Sequence, residues 1–249
     1  MEKRPMRSGP ADAVSRHRQS PTFSEWLIYL AIVVITVIGV ALAQFAPDIL
    51  TQVYLVEDGV LEWLSVVLLL FLAIICLRRA LGLRRIRPKA FTTALLLVAL
   101  GFFFVAGEEV SWGQRIFAIE TPDWLSERNQ QGEFNVHNLV VGDFSVNKVI
   151  FGNLLTLVLF LYIVPLPILA HRSPRIDRMV GRIGVPLPTL LQSLLFFPAA
   201  FIPELLIDAA ESDEIVETCG LLMLVAIFLW PKNPHIYDPN WRPVDEYVA

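Results

Sequence analysis

Several things are scarce in this chain, and each scarcity excludes something. Cysteine occurs twice in 249 residues, at Cys76 and Cys219, too few for a disulfide framework. Charged residues make up 18% of the chain against 55% hydrophobic residues, a balance too apolar for an ordinary soluble domain. The net charge of -4 is small, and no basic stripe interleaved with aromatics points to nucleic acid. Histidine occurs four times, which limits any site built on imidazoles. Internal repeats strong enough to use are lacking, and so is the period-two alternation of a membrane β-barrel.

What is present is a series of continuous apolar runs. A spanning helix needs roughly 20 mostly apolar residues to cross about 30 Å of hydrocarbon. Six segments meet or approach that length: Trp26 to Ala46, Val60 to Leu77, Phe91 to Ala106, Val149 to Ala170, Pro188 to Ile207 and Ile215 to Trp230. The expectation is an all-α polytopic membrane protein with six transmembrane helices.

Orientation follows from arginine and lysine, which are retained on the cytoplasmic side. The arm before the first run carries Lys3, Arg4, Arg7, Arg16 and Arg18. The loop after the second carries Arg78, Arg79, Arg84, Arg85, Arg87 and Lys89, and the loop after the fourth carries Arg172, Arg175, Arg178 and Arg182. The alternate loops are acidic, with Asp48, Glu57 and Asp58, then the stretch Glu108 to Lys148, then Asp208, Glu211, Asp213 and Glu214. Both termini are therefore expected on the cytoplasmic side of the membrane. Residues 1–23 read as a disordered basic arm, 24–231 as the membrane domain with an ordered outer loop at 107–148, and 232–249 as a cytoplasmic tail. The first run is too long for a signal-peptide core and reads as a retained anchor. The two cysteines fall toward opposite membrane faces and read as small core residues.

The outer loop holds most of the chemistry. It opens with GEEVSWGQRIF, residues Gly107 to Phe117, which puts two glutamates where a helix C-terminus disfavours anions. If the third helix continues to about Phe117, Glu108, Ser111, Trp112 and Arg115 share one face, and Gly113 leaves room for another helix. Thr121-Pro122-Asp123 then predicts a short helix with Thr121 as its cap and Trp124 and Leu125 turned toward lipid or protein. NQQGEFNVHN, residues Asn129 to Asn138, mixes amides, an acid and a histidine with apolar residues, the pattern of a segment packed back onto the membrane domain.

Acids from other helix ends should reach the same level. Asp58 and Glu62 are spaced i, i+4 at the start of the second helix, and Glu204 and Asp208 at the end of the fifth, where Pro198 and Pro203 predict a kink. Glu217 lies inside the sixth helix, where an ionisable group requires a partner. Simpler roles account for other residues. Asp213 and Glu214 after Ser212 suit the positive end of a helix, and Trp26, Trp63 and Trp112 suit an interfacial aromatic belt. His17, His171 and His235 fall on the cytoplasmic side and receive no role.

GEEVSWGQRIF, ETPDWL, QQGEFNVHN and EDGVLEWLS together resemble the motif set of a family of uncharacterised bacterial multi-pass inner-membrane proteins, over most of the chain from Glu57 onward. The paired glutamate also resembles the CAAX-protease-like intramembrane enzymes. Here Arg115 follows Glu108 by seven residues, a longer spacing than that family's, and His137 alone supplies an imidazole on that face. A three-histidine zinc site like that of alkaline ceramidase and adiponectin-receptor-like hydrolases is excluded by the same count.

Two functional classes follow. The first is a membrane-embedded hydrolase or transferase acting on a lipid or other membrane substrate. Glu108 or Glu109 would be the general base and His137 an acid or ligand; Trp112, Gln114, Gln131 and Asn138 would contact the substrate, and Arg115 an anionic headgroup. The donor set Glu108, Glu109, Glu133 and His137 is chemically compatible with a divalent metal. Asp58, Glu62, Glu204, Asp208 and Glu217 would be supporting acids. The second class is ion or solute transport, or a non-enzymatic envelope scaffold.

Overall fold

The structure is a computed structural model that describes residues 20–56, 59–142, 144–207 and 209–241. It is mostly helical. The long helices are α1 (Phe23–Phe45), α2 (Val60–Leu83) and α3 (Lys89–Glu109). After the loop that follows α3, the expected outer loop, come α4 (Leu155–Ile163), α5 (Pro165–Arg172), α6 (Pro174–Ile183), α7 (Leu190–Leu206) and α8 (Ala209–Leu229). Among the described residues, four segments are long and apolar enough to cross a membrane: α1, α2, α3, and Asn147–Arg172, which takes in α4, α5 and the π-helical turn before them. A multi-pass membrane protein in contact with lipid is the consequence.

The other two expected spans are helices of a different kind. α7 is apolar but short, roughly 25 Å at 1.5 Å per residue. It starts on a capping box between Thr189 and Gln192 and continues as helix through both Pro198 and Pro203. α8 begins six residues before Ile215, so Asp213 and Glu214 lie inside it rather than at its first turn. It is the central helix of the bundle and packs on α1, α2 and α7. Ile215, Cys219, Met223, Ala226 and Ile227 are fully buried. A helix enclosed by protein needs less uniform hydrophobicity than one facing lipid.

The core divides on either side of α8. On one side Leu69, Leu72 and Cys76 of α2 meet Phe91 and Leu95 of α3. On the other, Tyr29 and Ile32 of α1 and Ala199 of α7 meet Ile215, Cys219 and Met223. α1 approaches α8 closely at Gly39, where an added Cβ would lie 2.4 Å from the Ile215 side chain. The cysteines are free and sit in these two separate halves of the core.

Several expectations need correction. The third helix does not continue to Phe117: it ends at Glu109, and Ser111, Trp112 and Gly113 all have positive φ, at 45°, 54° and 77°. That left-handed run reverses the chain, so Gly113 serves a turn rather than a helix contact. The short helix after Thr121 forms as Asp123–Ser126, but Pro122 stands at its cap position and Thr121 caps nothing. Leu125 is buried there while Trp124 is 61% exposed. The outer loop also contains a small antiparallel pair, β1 (Val140–Val141) and β2 (Phe144–Ser145), within an otherwise helical chain. The fourth run is interrupted at Val164 and Pro165.

At the opposite end, residues 232–241 of the expected tail are docked. Arg87 donates to the backbone carbonyls of Ile236, Asp238 and Trp241 at 3.2, 2.8 and 2.8 Å, and its guanidinium stacks on the Trp241 ring. Arg79 lies 3.7 Å from the centre of the Tyr237 ring. Residues 1–19 of the arm and 242–249 of the tail lie outside the described residues.

Candidate functional site

The reversal at Ser111–Gly113 builds the site. By turning the chain back at the end of α3, it lays the Trp112 ring over Gly107, where an added Cβ would come within 2.8 Å of the indole. The ring also meets Phe103 and Phe104 edge-on. Trp112 Nε1 then donates to Glu108 Oε1 at 2.7 Å. Left-handed Ser and Trp residues cost on the order of 1 kcal/mol each, and such outliers persist where the surroundings over-determine them.

Glu108 is fully buried, and its second oxygen faces the returning loop. Oε2 accepts from the backbone N–H groups of Val136 and His137 at 2.6 and 2.8 Å, and lies 3.7 Å from His137 Nδ1. Two glutamate oxygens thus receive three N–H groups, and the carboxylate works as an anchor for the segment bearing His137.

Glu133 anchors the same segment from the other side. It accepts from Ser111 Oγ, from Arg115 Nη1 at 2.8 Å and from Asn135 Nδ2 at 3.0 Å. Arg115 also reaches Glu62 of α2 at 3.2 Å, so one guanidinium links two acids from distant parts of the chain. Gln114 donates to Thr121 Oγ1 and accepts from the Phe134 N–H, which explains why Thr121 is not a cap. Asn138 donates to Gln131 Oε1. Two asparagines outside the expected set organise the loop. Asn129 Oδ1 accepts from the N–H groups of Gln131 and Glu133, and its amide donates to Asn135. Their cue in the sequence was their position three residues either side of Gly132, in a turn-forming stretch.

A second group of acids lies next to this network. Glu109, half-buried at the end of α3, and Glu217 of α8 lie side by side within interaction range. Glu62 and Glu214 lie within electrostatic range of Glu109, and His137 within range of Glu217. Below the pair, Ser65 of α2 and Thr218 of α8 hydrogen-bond at 3.0 Å, and beneath them the core is apolar.

The expected residues therefore divide into three sets. Glu108, His137 and Trp112 form one cluster; Glu133, Arg115 and Glu62 a second; Glu109 and Glu217 a third. Glu204 is exposed at the end of α7, and Asp58 and Asp208 lie outside the described residues. The four carboxylate and imidazole groups expected to share a metal are spread over these three sets, and among the described residues no three His, Cys, Asp or Glu side chains are arranged to hold an ion. Two cavities lie elsewhere, one of about 230 Å³ near His171, Asp177 and His235, the other of about 260 Å³ between α1 and α7.

A polar pair was also missed at the opposite end of the bundle. Glu25 at the start of α1 is buried and accepts from Tyr29 and Gln192, and Gln192 in turn donates to Ala226 and Trp230 carbonyls of α8. Compared with known proteins, the chain matches no family model, no curated protein and no solved structure.

Proposed function

We propose that this chain is a six-span bacterial inner-membrane protein with both termini cytoplasmic, and that its outer-end site performs acid–base chemistry on a lipid or other membrane-borne substrate, as a hydrolase or transferase. The observation that carries the reading is the approach of the Glu109 and Glu217 carboxyl groups to each other, within electrostatic range of His137. A carboxyl pair with one proton between them supplies both an acceptor and a donor at one place, which general acid–base catalysis requires. Glu108 and Glu133 are positioning residues, holding His137 and Arg115 by contacts that leave the Glu109–Glu217 pair separate.

Six spans are supported by the charge pattern, since exposed Arg84, Arg85, Arg172, Arg175 and Arg182 sit at one end and the carboxylate clusters at the other. The motif resemblance agrees with this placement. Transport is the weaker reading, because the polar path below Glu217 stops at Ser65 and Thr218.

The test uses the full chain in nanodiscs made from a bacterial inner-membrane lipid extract. Wild-type protein and Glu109→Gln and Glu217→Gln variants are incubated, and the lipids are analysed by mass spectrometry. A lipid class converted by wild type and untouched by either variant is the expected result. Unchanged lipids, together with cation uptake by proteoliposomes of the wild type, would overturn hydrolysis in favour of transport.

A further inference from the structure

α6 carries a surface whose chemistry is unrelated to the outer site. It begins after extended Ser173, with Pro174 at the first helical position, directly beyond the apolar α5. Its ten residues, PRIDRMVGRI, separate into two faces. Val180 is buried with Ala170 and Leu187, Ile176 packs on that cluster, and Gly181 lies against Ile236. The helix ends at Gly184, in left-handed conformation, over the Phe91 ring of α3. One face is thus fixed to the protein.

The other face holds Arg175, Arg178 and Arg182, all exposed. At 3.6 residues per turn they fall within about one sixth of the helix circumference. Met179, an apolar side chain 53% exposed, borders this stripe. Exposed Arg84, Arg85 and Lys89 stand at the same end, because α6 packs on the start of α3. Asp177 lies off the stripe on the side of His235, and Asp238 is the other exposed acid described at this end. A short helix with an arginine edge, an exposed methionine and an anchored back suits a membrane surface, where the charges meet headgroups and the apolar residue enters the acyl boundary.

We propose that α6 lies in the plane of the membrane surface and that Arg175, Arg178 and Arg182 bind the headgroups of anionic phospholipids. The guanidinium forks match phosphate oxygens, and the stripe gives several such contacts on one face. A basic residue near an anionic leaflet contributes roughly a fivefold gain in binding.

The purified full chain is given an equimolar mixture of phosphatidylglycerol and phosphatidylcholine, and the retained lipids are counted by native mass spectrometry. Wild type should retain phosphatidylglycerol over phosphatidylcholine by roughly tenfold or more, and the combined Arg175→Gln, Arg178→Gln, Arg182→Gln variant should show little preference. No preference in wild type, or an intact preference in the triple variant, overturns the proposal. If the triple variant does not fold, the three single variants serve: each should lower the preference by about fivefold, and an unchanged preference in all three is equally fatal. A spin label at Met179→Cys in phosphatidylglycerol vesicles supplies the geometry. Oxygen should relax it more strongly than a water-soluble nickel complex, and the reverse order removes the in-plane placement.

Discussion

Two segments outside the long helices dock on this bundle, one at each end, and opposite charges hold them. At the end proposed to face outward, the outer end, Glu108 accepts the N–H groups of adjacent Val136 and His137. At the opposite, inner end Arg87 donates to carbonyls of Ile236, Asp238 and Trp241, spread over six residues. The difference follows from the two side chains. Glu108 offers two oxygens close together and uses one on the Trp112 indole and the other on two adjacent N–H groups, whereas a guanidinium presents five donors in a plane and can reach separated carbonyls. The outer segment is also held by Glu133, Gln114, Asn129 and Asn135, and the inner one by Asn233 on the backbone of Val185 and Leu187, by the Tyr237 hydroxyl on the Gly184 carbonyl and by Arg79 stacked on Tyr237.

Removing the guanidinium should have the largest effect. Arg87→Ala leaves three carbonyls without that donor and removes the stacking on Trp241, for a loss on the order of 3 kcal/mol. Thermal unfolding in detergent should show it, with faster proteolysis within residues 232–241. Arg87→Lys should recover only part, since a point charge cannot span the same acceptors. Identical melting of the alanine variant and wild type would mean that the segment is held elsewhere.

The matching change at the outer end should be smaller and more local. Glu108→Ala strands the Val136 and His137 amides and the Trp112 indole N–H, costing on the order of 2 kcal/mol. Amide hydrogen exchange at residues 136 and 137 should accelerate while the inner end is unaffected. Glu108→Gln, which keeps an oxygen acceptor, should lie between; exchange as slow in the alanine variant as in wild type would show the anchor to be dispensable.

Acidity should separate the ends with the smallest effect. Burial holds the His235 imidazole below its ordinary range, with nearby Asp177 acting in the opposite sense and Arg87 in the same one. The unfolded chain then takes up this proton first as pH falls. The stability owed to neutral His235 is complete above about pH 6.5 and is lost as pH drops through the folded value. Melting of wild type should decline over that window, and His235→Gln should flatten the decline; an equal slope in both would assign the acid sensitivity to other groups.

Much of the fold was legible because lipid imposes length and composition on whatever it touches. α1, α2, α3 and the segment containing α4 and α5 stand out for that reason. α8 was placed but its start was misjudged, since the polar stretch before Ile215 resembles a loop in sequence yet is helical from Ala209. At the site, the residue types around Glu108 included residues that the structure brings together, Glu108, Trp112 and His137. Their pairing was hidden, because a carboxylate that binds backbone N–H groups leaves no mark on the residues it binds. The turn at Ser111 and Trp112 was equally hidden: neither residue type favours positive φ, and the tertiary contacts of Trp112 enforce it. Glu25 and Gln192, 167 positions apart, share no local pattern at all.

The inner clasp also sets an order of events during synthesis. Arg87 lies 149 to 154 positions before the carbonyls it holds. It must therefore wait, after α2 and α3 are made, until α8 and residues 236–241 have left the ribosome. Glu108 waits only 28 positions for Val136. The Glu108 anchor can thus form before α8 is made, and the Arg87 clasp only after α8 and the segment that follows it.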